Sequence, residues 1–312
     1  MTVLRIVPGS ANPALAQAVA NHLGVETDGC TLQRFPDGEL RPQVENACGA
    51  DVYIVQPTSP PVNEHLVELL LLVDACRRSR AGRVTAVVPY FGYARQDRRT
   101  APGQALGSAV VADAIAAAGA DRLVVVDPHT PELEAVCRIP AETLSAVPAL
   151  AGALAGHLPD GTVVVAPDLG AVKLAERYAA VLHGPVAVVR KQRGAGSAVA
   201  ALDVAGDVSG RTAVIVDDMI TTGATIEAAV GLLRARGAAH DIVVAATHGL
   251  FVHAAAGRLQ DLGLRRVLVS DTVAVKNTGA TIEIASVAPT IADAIACLHT
   301  DKPLRDPPIP AR

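Results

Sequence analysis

Residues Val214 to Thr225 read VIVDDMITTGAT and gather several chemical groups into few positions. Four apolar or β-branched residues make a buried strand, Asp217 and Asp218 stand at its C-terminal end, and a Thr/Gly-rich turn opens a helix from Ile226 to Arg236. Ligands of open α/β sheets bind at that strand edge. The unpaired N–H groups of a turn and a helix start attract phosphate, and Thr221, Thr222 and Thr225 add hydroxyl donors. Asp217 and Asp218 suit ribose hydroxyls, or Mg2+ met directly or through water. The alternative is a capped loop whose aspartates merely bind turn amides, and the spacing favours the functional site.

Other stretches carry charge at turns. PYFGYARQDRR, Pro89 to Arg99, follows a strand and sets Arg95, Gln96, Asp97, Arg98 and Arg99 behind a Gly-Tyr turn, which suits a triphosphate and a nucleobase edge. FPDGE, Phe35 to Glu39, offers a ring that can stack on a base and two carboxylates that can accept from an exocyclic amine, although Pro-Asp-Gly is first of all a turn. KQRGAGS, Lys191 to Ser197, mixes cations with small residues, lacks apolar periodicity and is expected to be a mobile loop. Read alone, His129 in VDPHT is a structural histidine and Asp168 in APDLGAVK a helix cap.

VIVDDMITTGAT resembles the phosphoribosyl-diphosphate loop shared by type I phosphoribosyltransferases and ribose-phosphate diphosphokinases. FPDGE, PYFGYARQDRR and QPTSPPVNEHLVELLLLVDACRRS resemble the N-terminal half of the diphosphokinases, which simple phosphoribosyltransferases lack. The resemblance runs in order from Phe35 to the region of Cys297. It implies two phosphoribosyltransferase-like (type I) α/β domains, each a mainly parallel sheet flanked by helices, with the active site between them and completed by a neighbouring subunit of a homo-oligomer. It also implies transfer of the β,γ-diphosphate of Mg-ATP to O1 of ribose 5-phosphate. Matched position by position, Phe35, Asp37 and Glu39 would contact adenine, lent by the neighbouring subunit, and Arg95 and Gln96 would contact the nucleotide. His129 and Asp168 match the Mg2+-associated positions, Lys191 and Arg193 the catalytic cations of a mobile loop, and Asp217, Asp218, Thr221, Thr222, Gly223, Ala224 and Thr225 the ribose 5-phosphate loop.

The chain departs from the family pattern in places. TTGAT stands for the usual DTGGT, so Thr221 replaces an Asp and Ala224 a Gly; DPHTPELEAVC replaces a DLHA-type segment; Gln192 stands where an Arg is common. These features resemble an archaeal-type branch more than the phosphate-activated, ADP-inhibited enzymes. A phosphoribosyltransferase is opposed by FPDGE and PYFGYARQDRR, and a non-catalytic partner of the synthetase by His129, Asp168, Lys191 and Arg193. The residues single out no general base for O1; the Asp217/Asp218 pair and His129 both remain open.

Strands must carry these groups. Val-rich runs at Leu4 to Val7, Val52 to Val55, Val84 to Val88 and Leu123 to Val126 alternate with helical patterns at Asn63 to Ser79 and Gln104 to Ala118. After a Pro- and Ala-rich passage from Ile139 to Pro159 the pattern restarts at Thr162 to Val165, Val186 to Val189, Ala213 to Val216, Ile242 to Ala246 and Val267 to Val269. Two domains are expected, 1–145 and 146–312, with the last helix free to pack back on the first. Half of the 312 residues are apolar yet only 2% aromatic, so aliphatic side chains must fill the cores. A net charge of -4 without a long basic block argues against nucleic acid and anionic lipid as partners. The five scattered cysteines lack zinc spacing and are expected to be buried free thiols. Met1 to Pro8 lacks the pattern of a secretion signal and Leu69 to Val73 is too short to cross a bilayer, so a cytoplasmic protein is expected.

Overall fold

The computed structural model describes residues 2–130, 132–192, 201–275 and 282–304, with the backbone alone at 191, 192, 201 and 202. The chain divides into two compact units. One comprises residues 1–145, 272–274 and 286–305, the other residues 146–271, 275–285 and 306–312.

In the first unit β1 (Leu4–Pro8), β4 (Asp51–Val55), β5 (Arg83–Val88), β6 (Arg122–Val126) and β7 (Ala141–Leu144) form a parallel sheet in the order β1-β4-β5-β6-β7. A separate antiparallel hairpin pairs β2 (Cys30–Arg34) with β3 (Leu40–Val44). α1 (Pro13–Leu23), α2 (Val62–Arg78), α3 (Gly107–Ala118), the short α4 (Leu133–Val136) and α9 (Ala288–His299), the last helix among the described residues, belong to this unit. β4 is buried along its whole length, as a strand covered on both faces must be. Its Val52 and Ile54 pack with Leu69, Leu72 and Val73 of α2 and Ile115 of α3, and each such side chain removed from water contributes about 1.5–3 kcal/mol. α1 starts where Asn12 Oδ1 accepts from Leu15 N–H at 3.2 Å and stops at Gly24, φ 68°. α9 packs against α1.

The second unit holds α5 (Val147–Ala155), α6 (Val172–Leu182), α7 (Ala224–Ala235) and α8 (Ala255–Asp261). Its sheet runs in the order β10-β9-β8-β11-β12-β13-β14, where β8 is Val163–Ala166, β9 Val186–Gln192, β10 Ala201–Ala205, β11 Ala213–Ile220, β12 Ile242–Gly249, β13 Arg266–Ser270 and β14 Ile282–Ala285. Every pairing is parallel except that of β9 with β10.

The structure fills in one passage left without elements and corrects two sequence expectations. The passage from Ile139 to Pro159 contains β7 and α5, whose Val147, Leu150, Ala151 and Leu154 are buried at helical spacing. The helix expected from Gln104 starts at Gly107, because Gln104 Oε1 instead accepts from Thr100 N–H, Thr100 Oγ1–H and Ala101 N–H. Lys191 and Gln192 continue β9, opposite Leu202 and Ala201, because β10 returns as an antiparallel partner. The remainder of KQRGAGS, with Arg193, lies outside the described residues. All five cysteines are free; Cys76 is buried, whereas Cys48 is exposed. Among the described residues no helix is long and apolar enough to cross a membrane.

Candidate active site

In the second unit, β9 and β11 flank β8 on either side, so successive strands leave β8 in opposite directions. The C-terminal ends of neighbouring parallel strands at such a reversal form a crevice suited to a ligand. The chain places Lys191 at the end of β9, Asp168 just beyond β8 and the Asp217/Asp218 pair near the end of β11. The strand outruns the sequence expectation, since β11 stays paired with β12 through Ile220 and Gly249 and carries both aspartates in its backbone ladder.

Asp218 N–H donates to Asp217 Oδ1 at 2.9 Å. Burial raises the Asp217 carboxyl well above its ordinary value, the adjacent Asp218 adds to this by charge and side-chain hydrogen bonding, and Asp168 contributes less. The three carboxylates thus sense one another at one sheet edge. Asp168 Oδ1 accepts from Gly170 N–H at 2.8 Å and Ala171 N–H at 3.1 Å, which makes it the organiser of the turn into α6.

Beyond β11 the chain turns through Thr221, Thr222 and Gly223 into α7. Gly223 has φ 77°, a left-handed conformation that glycine adopts without cost, and Thr222 Oγ1 accepts from Ala224 N–H at 3.4 Å at the helix start. Thr222, Ala224 and Thr225 are exposed there, leaving amide donors and hydroxyls for an anion. Ala224 narrows this turn by one methyl relative to the family's glycine but removes no amide.

In the first unit, the segment after β5 is pinned by Thr58, whose N–H donates to Tyr90 O at 2.9 Å and whose Oγ1 accepts from Gly92 N–H at 2.6 Å. A Cβ at Gly92 would meet Thr58 O and Val62 Cγ1 at 2.8 Å, so glycine is required. Arg95 and Gln96 are exposed just beyond. Ser108 N–H and Oγ–H hold Gln96 O at 3.3 and 3.2 Å, fixing the loop to the start of α3. Asp97, paired with Arg98, is held below the ordinary carboxylate value, chiefly by Arg98 and least by His129. His129, exposed beyond β6, therefore lies in the same charged neighbourhood as the arginine-rich loop, which the sequence left as separate motifs.

Phe35, Asp37 and Glu39 share the β2–β3 turn. Phe35 N–H donates to Glu39 O and Gly38 N–H to Phe35 O, both at 2.9 Å, while Asp37 Oδ1 accepts from Glu39 N–H at 3.1 Å. Phe35 is 44% exposed, unusual for a phenylalanine and suited to stacking. Arg34, which sequence reading missed, donates to Gly38 O at 3.0 Å and pairs with Glu64 in the first turn of α2. Among the described residues no hydrogen bond or ion pair joins this turn to Arg95 or Gln96, and no group of three or more His, Cys, Asp or Glu side chains forms a metal cage.

Parallel sheets with phosphate-ready turns and clustered carboxylates at their C-terminal edges define an α/β protein that handles phosphorylated ligands. A family profile described as the N-terminal domain of ribose phosphate pyrophosphokinase matches residues 4–119, and one described as the phosphoribosyl synthetase-associated domain matches residues 195–305. The ribose-phosphate pyrophosphokinases of Gloeobacter violaceus and Parasynechococcus marenigrum are 42% and 40% identical to the chain, each over 96% of it and 91% of the relative. The crystal structure of a phosphoribosylpyrophosphate synthetase from Mycobacterium smegmatis superposes with a TM-score of 0.90 at 35% identity, covering 96% of this chain and 100% of that one. The chain belongs to the ribose-phosphate pyrophosphokinase family, with its phosphoribosyltransferase-like domains, as the order of FPDGE, PYFGYARQDRR and VIVDDMITTGAT implies.

Proposed function

We propose that the protein transfers the β,γ-diphosphate of Mg-ATP to ribose 5-phosphate, giving 5-phosphoribosyl 1-diphosphate and AMP. The observation that carries this is the largely exposed Thr/Gly turn from Thr221 to Thr225 at the start of α7, following Asp217 and Asp218, on a chain that also holds the arginine-rich loop and the FPDGE turn. O1 of the ribose attacks the β-phosphorus, the bond from that phosphorus to the oxygen bridging the α-phosphate breaks, and AMP leaves with the electron pair.

Thr221, Thr222, Gly223, Ala224 and Thr225 hold the 5-phosphate through amides and hydroxyls, and Asp217 and Asp218 receive the ribose hydroxyls. Phe35, Asp37 and Glu39 recognise adenine, and Arg95 and Gln96 the nucleotide. Lys191 and Arg193 bring positive charge to the negatively charged oxygens of the transferred group. Mg2+ fits this donor set, because it takes one or two carboxylates and otherwise keeps water and substrate phosphates, and Asp168 stands among carboxylates whose mutual repulsion a cation would relieve. His129 and Asp168 would hold it, where it would neutralise phosphate charge. A homo-oligomer in which a neighbouring subunit lends FPDGE, working in the cytoplasm, completes the proposal.

The test is an assay with purified protein, Mg-ATP and ribose 5-phosphate that resolves AMP from ADP. Ribose 5-phosphate-dependent AMP formation is expected. ADP formation, or no turnover, refutes the reading.

A further inference from the structure

α8 and the segment before it lie against the turn that opens α7. Leu250 and Phe251 N–H groups donate to Ile220 O at 3.0 and 3.1 Å, and Val252 N–H donates to Thr221 O at 3.0 Å, so the chain leaving β12 is tied to the turn before α8 begins. Phe251 and His253 take left-handed φ values of 41° and 56° there, a strained backbone for residues with side chains. Within α8, Arg258 and Leu259 face Gly223: a Cβ built on that glycine would lie 3.5 Å from Arg258 Cδ and 3.5 Å from Leu259 Cδ2. The Arg258 guanidinium reaches past Gly223 to the first turn of α7, where its Nη1 pairs with Glu227 Oε2.

Glu227 raises an electrostatic question. A carboxylate in the first turn of a helix suits the helix dipole, yet it sets a negative charge beside amides that would otherwise attract phosphate. Left alone, it would compete with or repel a phosphate at the same helix start. Arg258 removes that conflict by neutralising Glu227 while its aliphatic stem supports Gly223.

We infer that Arg258 is a positioning residue for the phosphate turn: it cancels the charge of Glu227 and so leaves the α7 start positive toward the phosphate of ribose 5-phosphate. This rests on the assignment of the turn to ribose 5-phosphate. Arg258 itself need not touch the substrate. The pair is part exposed, with side chains 40% and 48% accessible, so its influence should be moderate and sensitive to salt.

The experiment measures KM for ribose 5-phosphate and for ATP in wild type, Arg258→Met, Glu227→Gln and the double variant, at low and high ionic strength. Methionine keeps a stem against Gly223 and removes the charge. Arg258→Met is expected to raise KM for ribose 5-phosphate roughly three- to tenfold, with a smaller penalty in high salt. KM for ATP should stay within about twofold, and Arg258→Met/Glu227→Gln should return to within about twofold of wild type. Glu227→Gln alone should match or better the wild type. An unshifted KM in Arg258→Met, or a double variant as impaired as Arg258→Met, overturns the inference and leaves Arg258 a packing residue. Failure of the functional reading looks different: wild type would then release no AMP in response to ribose 5-phosphate. A Thr225→Ala variant with unchanged KM for ribose 5-phosphate would sink the turn assignment itself.

Discussion

Replacing Asp51 should loosen α9 from the rest of the first unit. Asp51 opens β4, and its side chain is only 2% exposed. Its Oδ1 accepts from Arg83 Nε at 2.8 Å and its Oδ2 from Arg83 Nη2 at 2.7 Å and Tyr53 OH at 3.2 Å, while His299 Nδ1 at the end of α9 lies 2.7 Å from Oδ2. Arg83 also donates to Leu298 O and Asp301 Oδ1, both at 3.0 Å, so one carboxylate organises the attachment of the α9 C-terminus. Removing one partner of a buried pair costs about 3–5 kcal/mol. Arg83 keeps 27% exposure and its bond to Asp301, which places Asp51→Ala near the lower end, about 3 kcal/mol, or a fall of roughly 6–12 °C in melting temperature for a unit of this size. Denaturant titration gives the loss, and amide hydrogen exchange should show α9 opening in the variant more than the central strands. The pH dependence provides a second reading. Burial alone would raise the Asp51 carboxyl, but Arg83, His299 and Tyr53 outweigh it and hold the group below its ordinary 3.8. A depressed folded value means that the stabilisation is complete above the unfolded value and is lost as pH falls through the folded one. Wild type should therefore weaken below about pH 4, and Asp51→Ala should show a flatter acid limb. A loss under about 1 kcal/mol, with α9 exchange unchanged, would refute this account of the network.

Lys191→Ala should lower kcat by roughly three to five orders of magnitude with a modest change in KM, because a phosphoryl-stabilising cation acts mainly in the transition state; a near-normal kcat, or a raised KM alone, would make Lys191 a binding residue. Asp168→Asn keeps an acceptor for Gly170 and Ala171 while removing the charge, so the Mg2+ concentration for half-maximal rate should rise with little loss of stability. An unchanged Mg2+ dependence would leave Asp168 a turn-former only. Mixing an inactive Asp37→Ala/Glu39→Ala protein with an inactive Lys191→Ala protein under subunit exchange should restore activity; none recovered would argue against a shared site.

The legible parts of the fold are those with both strand faces buried. VYIV and VTAVV, Val52 to Val55 and Val84 to Val88, read as strands because each of their residues is buried. The β2–β3 hairpin escaped notice because CTLQR and LRPQV are only half covered and Pro42 discourages a strand assignment. AETL in β7 and IEIA in β14 are too short to show a period. At the candidate site, the order of motifs was readable and their physical settings were not. Asp168 caps a turn through amides two and three residues away, but its influence on Asp217 depends on β8 lying beside β11. Arg258 and Glu227 are 31 residues apart and belong to different helices, so their pairing is visible only in space.

The first unit is discontinuous, because α9 returns to it after the whole second unit has been formed from the intervening chain. During synthesis, α1 and the Asp51–Arg83 pair emerge early and then wait for a helix that follows the sheet of the second unit. At ordinary elongation rates that interval is roughly ten seconds or more. Until then, the face of α1 that α9 covers has no partner from its own chain, and the nascent protein offers chaperones an apolar strip. Folding of the first unit thus depends on its most distant element: a ribosome that stops short of α9 leaves that unit unfinished, however complete its sheet.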